Sequence, residues 1–259
     1  MNYLAVLYHR GLQYRTINCA RSALSSTLLL IDGFKVGQHP LVTRLMKGIF
    51  NLRPPIKKMC AAWSIREVID LLKSWGPASK LDLKTLTLKT VMLLALACSK
   101  RCNSLAMLSV KREFCEISEN YIMLQPEGLE KHSRPSLVAT PIKLFSYNRD
   151  IRIDPVCYLK AYIKRTKTIR RSEQLFVTHN APHKEASVTS IARWLAQVIG
   201  FSGQTGTGGS VRSVSSSYAL AKGASLEAVL DAGDWSRVTT FQKFYYQPVP
   251  LSYMQHVFE

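Results

Sequence analysis

The sequence predicts a mainly α-helical protein in two lobes, with one small antiparallel β-sheet in the second. Three observations lead there. Apolar residues recur at helical spacing along most of the chain. Two short runs rich in β-forming residues, 113–117 and 121–124, flank the turn Ser118-Glu119-Asn120. The first 75 residues read as helices studded with Lys and Arg, and Asp32 is their only acid before Glu67. The Gly76-Pro77 break then divides a helical lobe, 1–75, from a mixed lobe, 76–259.

The elements follow in order. Residues 14–30 place Ile17, Ala20, Leu24 and Leu28 on one helical face, and Asp32-Gly33 ends that run. Pro40 opens a second helix through Leu41, Leu45 and Ile49, which stops before Pro54-Pro55. Ser64 with Glu67 forms a capping box for a third helix that runs to Trp75. Residues 86–97 are mostly apolar and predict a long buried helix. The two strands come next, with a third expected over 136–142. Asp154-Pro155 starts a helix to 166, and another covers 187–199. A Gly-, Ser- and Thr-rich loop spans 202–210; helices over 213–222 and 226–232 and a short aromatic segment, 239–246, complete the chain.

Charge is the strongest bulk signal. Thirty-five Lys and Arg face seventeen Asp and Glu, a formal net charge of +18, which suits a polyanion whose condensed counterions are released on binding. Arg15, Arg21, Arg44, Lys47 and Arg53 are the candidate phosphate contacts of the first lobe. Of six cysteines only Cys98 and Cys102 are close, and no second pair completes a zinc site. The Gly run at 206–209 lacks Gly-Lys-Ser/Thr and a preceding strand, so no nucleotide loop is expected. The longest apolar stretch, 91–98, is too short to span a bilayer, and the start lacks a basic leader. The sequence therefore points away from metal, cofactor, small-molecule and membrane chemistry.

Cutting DNA without a metal needs fixed cations on the phosphoryl oxygens, a nucleophile and a proton donor for the leaving oxygen. Arg suits the first role because it stays charged and donates in bidentate fashion. The chain offers, in order, Arg101 just past the buried helix, Lys131 in an inter-strand turn, Arg212 at the head of a helix, Trp235 after Gly233-Asp234, and Tyr245 followed by Tyr246.

This ordered set resembles the tyrosine recombinases, and more closely those of DIRS-type and related eukaryotic mobile elements. The stretch 11–25 (GLQYRTINCARSALS), His39-Pro40-Leu41-Val42, Lys47-Gly48-Ile49-Phe50 and Arg53-Pro54-Pro55 are similar to that group's core-binding lobe. Residues 235–245 are similar to its catalytic C-terminus. The resemblance implies a two-lobe clamp of a core-binding and a catalytic lobe on double-stranded DNA, assembling as a homo-tetramer in the nucleus. It makes Arg101 and Arg212 the catalytic arginines, Lys131 the proton donor to the leaving oxygen, Trp235 a hydrogen-bond donor to the phosphate and Tyr245 the nucleophile, with Tyr246 as second choice. The reaction implied is cleavage and rejoining through a 3′-phosphotyrosyl link, in mobile-element integration. The family pattern His-x-x-Arg departs here, since Gly209 stands at the His position, and activity is expected to be reduced. Residues 1–7 resemble the second half of a first helix, so an N-terminally truncated core-binding lobe is expected. The alternatives are a catalytically inactive DNA-binding remnant of such an element and, less favoured, a type IB topoisomerase.

Overall fold

The computed structural model describes residues 2–55, 63–129 and 140–247, and the chain divides into two compact units, Met1–Cys60 and Ala61–Glu259. Three helices build the first: α1 (Asn2–His9), α2 (Tyr14–Thr27) and α3 (Pro40–Leu52). Leu4, Leu7, Ile17, Val42, Met46 and Ile49 form its core. Pro40 takes the first helical position of α3, where its missing N–H costs nothing, and the His39 imidazole accepts a hydrogen bond from the Leu41 N–H. Helix α2 ends at Thr27, three residues before the predicted end, and Leu28, Leu29 and Leu30 are exposed. The chain reverses at Asp32-Gly33, both with positive φ, which closes a bridge between Ile31 and Phe34.

The second unit contains α4 (Ile65–Ser74), α5 (Leu83–Cys98), α6 (Cys102–Ala106), β1 (Cys115–Ile117), β2 (Tyr121–Leu124), β3 (Ile142–Phe145), α7 (Pro155–Thr166), α8 (Val188–Phe201), α9 (Ser210–Ala221), α10 (Leu226–Ala232) and α11 (Val238–Phe244). Helix α4 therefore belongs with the second unit, not with the first 75 residues as the sequence suggested. Its stripe Ile65, Val68 and Leu72 is buried in the large core, against α8 and α9. Gly76, at φ +82°, ends a helix here without ending a unit.

Helix α5 is the axis of this unit, packed by α7, α8 and α9 and buried on nearly every side. A helix so largely apolar is most stable in this place. The sheet is antiparallel in the order β1-β2-β3, with Ile122 opposite both Ile117 and Leu144. The third strand begins where the expected one ends. Ile142 and Leu144 point into the core, and Lys143 and Phe145 face outward, so the period-2 pattern lies after Pro141. Residues 136–139 of the expected strand lie outside the described residues. Among the described residues no helix is long and apolar enough to cross a membrane, and no group of metal-ligating side chains is present.

Lys89 carries an ionisable group into this core. The Lys89 ammonium, on α5, donates to the Gly76 carbonyl at 3.1 Å and to the Tyr158 hydroxyl at 2.8 Å. Burial holds it well below the ordinary lysine value, at about 8, and pushes the Tyr158 hydroxyl up to about 12. Folding thus works against a charged Lys89 at neutral pH. Stability contributed at this position should rise as pH passes from about 8 toward the unfolded lysine value of 10.5, because the unfolded chain holds the proton longer. Above the ordinary tyrosine value of 10, Tyr158 acts in the opposite sense, since it keeps its proton in the folded state. In urea unfolding between pH 7 and 10, the stability of the parent relative to Lys89→Met should grow by up to about 2–3 kcal/mol. A pH-independent difference would show that Lys89 keeps an ordinary proton affinity.

Candidate active site

Helix α9 carries Arg212 in its first turn and is itself locked in place. Gly208 is buried where α9 starts, and a Cβ there would lie 2.3 Å from the Ala192 carbonyl oxygen of α8, so only glycine allows the approach. Trp63 closes the other side. Its indole N–H donates to the Ser210 hydroxyl at 2.9 Å, and its ring occupies the space that a side chain at Gly206 would need.

Arg212 is 3% exposed. It donates to the carbonyl of Gly233, in the turn that follows α10. The Trp235 ring lies 4.1 Å from the guanidinium carbon and the Tyr245 ring 5.0 Å from it, within cation–π range. Trp235 and Tyr245 pack on each other with ring centroids 5.0 Å apart. Trp235 is held from behind by Phe241 at 4.9 Å. Glycine at 233 is again a necessity, because a Cβ there would fall within the Trp235 ring, 1.9 Å from Cζ3. The Trp235 Nε1 is buried and has no acceptor among the described residues. Buried donors are normally satisfied, so this one stands out.

Arg101 is half-buried, at the N-cap of α6. Its segment is tied to the same cluster on both sides. Ser99 closes α5 in a left-handed conformation, and its hydroxyl lies 2.9 Å from that of Ser215, one turn beyond Arg212. Lys100 is buried and forms an ion pair with Asp234, between Gly233 and Trp235. The tyrosine segment is fastened too. Tyr245 follows α11, and two residues on the Gln247 N–H donates to the Ser217 hydroxyl of α9 at 2.8 Å, while its side-chain amide donates to that of Ser213 at 3.3 Å.

The structure therefore gathers Arg212, Trp235 and Tyr245, and brings the Arg101 segment against them. Tyr246 is placed differently: its ring packs on Phe241 at 6.0 Å and is 42% exposed. Lys131 lies outside the described residues. Gly209 is exposed at the N-cap of α9, one turn before Arg212, with open space where a side chain would stand. Of the first unit's candidates, Arg15, Arg44 and Lys47 are exposed. Arg53 instead donates to the carbonyls of Tyr8 and Leu12 and covers the Tyr8 ring, and Arg21 donates to the Gly37 carbonyl. Both staple the first unit, a role that sequence reasoning did not assign them. Lys100, Asp234, Gly233 and Gln247 were also missed, because nothing in their local sequence sets them apart.

A second basic feature sits at the other end of α5. An open cleft of about 500 Å³ is lined by Lys84, Lys184 and Arg193 together with His179 and Trp194, and by no carboxylate. Burial lowers the His179 imidazole's proton affinity, and nearby Lys84 adds to this.

Comparison with solved structures decides the architecture. The Tn1549 transposon integrase in complex with transposon right end DNA matches at a TM-score of 0.64 and 13% identity, over 99% of this chain and 82% of that one. The fold is that of the tyrosine recombinases. The XerA recombinase matches at a TM-score of 0.54 and 15% identity, over 98% of this chain and 89% of that one. A lambda integrase dimer bound to a COC′ core site matches at 0.53 and 13%, over 97% and 80%. No protein-family model and no curated protein matches the sequence. Within this recombinase fold, the Arg212, Trp235 and Tyr245 cluster lies in the second unit, the one that carries the three-stranded sheet.

Proposed function

We propose that this protein cuts and rejoins duplex DNA through a 3′-phosphotyrosyl intermediate on Tyr245, in the integration of a mobile element. The observation that carries the reading is the cluster itself: a guanidinium, a buried indole N–H with no acceptor among the described residues, and a tyrosine packed on both. Arg212 and Arg101 neutralise charge on the phosphoryl oxygens, and the Trp235 N–H donates to one of them. The Tyr245 hydroxyl gives its proton to solvent as its oxygen attacks phosphorus, the bond to the 5′ oxygen breaks, and Lys131 gives that oxygen a proton. Attack by a 5′ hydroxyl on the phosphotyrosine reverses the step, and bond energy is kept throughout. The second unit is the catalytic lobe and the first the core-binding lobe. The protein acts in the nucleus as a tetramer on two DNA sites; a similar protein, lambda integrase, has been solved as a tetramer on a Holliday junction.

The deciding experiment is a suicide DNA substrate that loses its leaving strand. A protein–DNA adduct stable to denaturant is the expected result. Its absence, on DNA that the protein binds, would favour an inactive DNA-binding protein, the reading that Gly209 supports. Binding itself should be only weakly dependent on sequence at low salt. The formal charge of +18, exposed Arg15, Arg44 and Lys47 in the first unit, and the Lys84, Lys184 and Arg193 cleft in the second supply the basic groups for contact with six or more phosphates. Affinity should then fall by about 10³-fold or more between 50 and 200 mM salt. A flat salt dependence in a titration by fluorescence anisotropy would remove the polyanion reading.

A further inference from the structure

The Lys100–Asp234 ion pair joins the two segments on which the site depends. Lys100 precedes Arg101, and Asp234 lies between Gly233, whose carbonyl accepts from Arg212, and Trp235, whose ring covers Arg212. The Lys100 side chain is 6% exposed and that of Asp234 20%. Both charges are thus largely withdrawn from water, an arrangement that seldom adds net stability over an apolar pair. Two left-handed residues hold the geometry: Ser99 at φ +48° and Asp234 at φ +51°. Each lies within one residue of the pair, so the backbone is bent at both ends to bring these side chains together. Left-handed backbone outside glycine is uncommon, although Asp adopts it more readily than most.

We propose that Lys100 and Asp234 are positioning residues, which set Arg101 and Trp235 in register on Arg212 so that all three address one phosphate. The inference rests on the proposed function for its catalytic meaning, but not for its geometric one. Neither residue touches the reacting atoms; both act through the neighbours they carry. Small displacements of such groups are costly, since a shift of about 1 Å can slow a reaction about a hundredfold.

The test uses the full chain with Asp234→Asn, Lys100→Met and Lys100→Arg. Asp234→Asn is the informative change, because Asn accepts the left-handed backbone and keeps the shape while removing the charge. Two readouts are taken: the single-turnover rate of adduct formation at saturating DNA beside the Kd, and the Trp235 indole ¹⁵N–¹H resonance, assigned by its loss in Trp235→Phe. Expected are a rate lower by about ten- to a hundredfold in Asp234→Asn and Lys100→Met, an unchanged Kd, a displaced indole resonance, and near-parental behaviour of Lys100→Arg. Glu127→Gln, which opens the exposed Lys111–Glu127 pair, should move neither readout. If Lys100→Met fails to fold, Asp234→Asn alone decides. Parental rate and parental resonance in Asp234→Asn would overturn the proposal. If the parent forms no adduct, the proposed function falls, and the resonance still decides: displacement upholds the positioning role and a parental signal overturns it.

Discussion

Tyr245→Phe is expected to abolish covalent capture of DNA, whereas Tyr246→Phe should leave it close to the parental rate. The two residues are adjacent, both carry a phenol, and both backbone N–H groups donate to the Phe241 carbonyl at 2.8 Å. Their rings part company there. The Tyr245 ring packs on Trp235 and faces Arg212. That of Tyr246 packs on Phe241 and opens to solvent. A nucleophile must reach phosphorus while the phosphoryl oxygens are held by cations, and only Tyr245 shares its surroundings with such a cation. Removal of the phenolic oxygen leaves the packing of Tyr245 nearly intact, since its ring contacts are kept. The loss should therefore appear in adduct formation and not in DNA affinity or thermal stability. Adduct formation by Tyr245→Phe, coupled with its loss in Tyr246→Phe, would move the nucleophile by one residue and require the segment after α11 to rotate.

Much of the architecture was legible in the sequence, and the reasons are specific. Capping chemistry marked several helix starts: Ser64 with Glu67, Asp154-Pro155 and Pro40 each mark one. The largely apolar run 86–97 predicted the central helix, because so much apolar surface has to be buried. Boundaries set by tertiary contact were not legible. The Gly76-Pro77 break resembles a linker, yet the stripe of α4 packs on α8 and α9, which lie over a hundred residues downstream. In the site, Arg212, Trp235 and Tyr245 stood out as residue types able to do the chemistry. Their supports did not: Gly233 is required only because the Trp235 ring occupies its Cβ position, and Lys100 is one of thirty-five basic residues until Asp234 is seen beside it. Arg53 has a structural role that its sequence context did not signal. Its place in a basic, helical stretch suggested a phosphate contact, while its hydrogen bonds go to the Tyr8 and Leu12 carbonyls.

Gly209→His is expected to accelerate adduct formation by about tenfold or more, toward the factor of about 10²–10⁴ that a well-placed acid–base group contributes. The substitution is sterically open. Gly209 has φ −69° and ψ −23°, a conformation any residue adopts, and a Cβ there would meet only the Thr207 hydroxyl, at 3.9 Å. It contrasts with its neighbour Gly208, where a Cβ would strike the Ala192 backbone, so Gly208→His should fail to fold correctly and serves as the control. Position 209 lies three residues before Arg212, one helical turn away, which sets the introduced imidazole on the side of α9 that carries the guanidinium. On the proposed mechanism the ring would accept the proton of the Tyr245 hydroxyl, or donate to a phosphoryl oxygen. Because an ordinary histidine titrates near pH 6.5, the gain should depend on pH in that region, whereas the parent has no imidazole at this position to titrate. The measurement is the rate of adduct formation on a suicide substrate between pH 5.5 and 8.5, for the parent, Gly209→His and Gly209→His/Tyr245→Phe. The double variant should be inactive, which ties any gain to the same nucleophile. A variant that folds and binds DNA like the parent, yet gains no rate at any pH, would show that the loss of this group is not what limits the reaction.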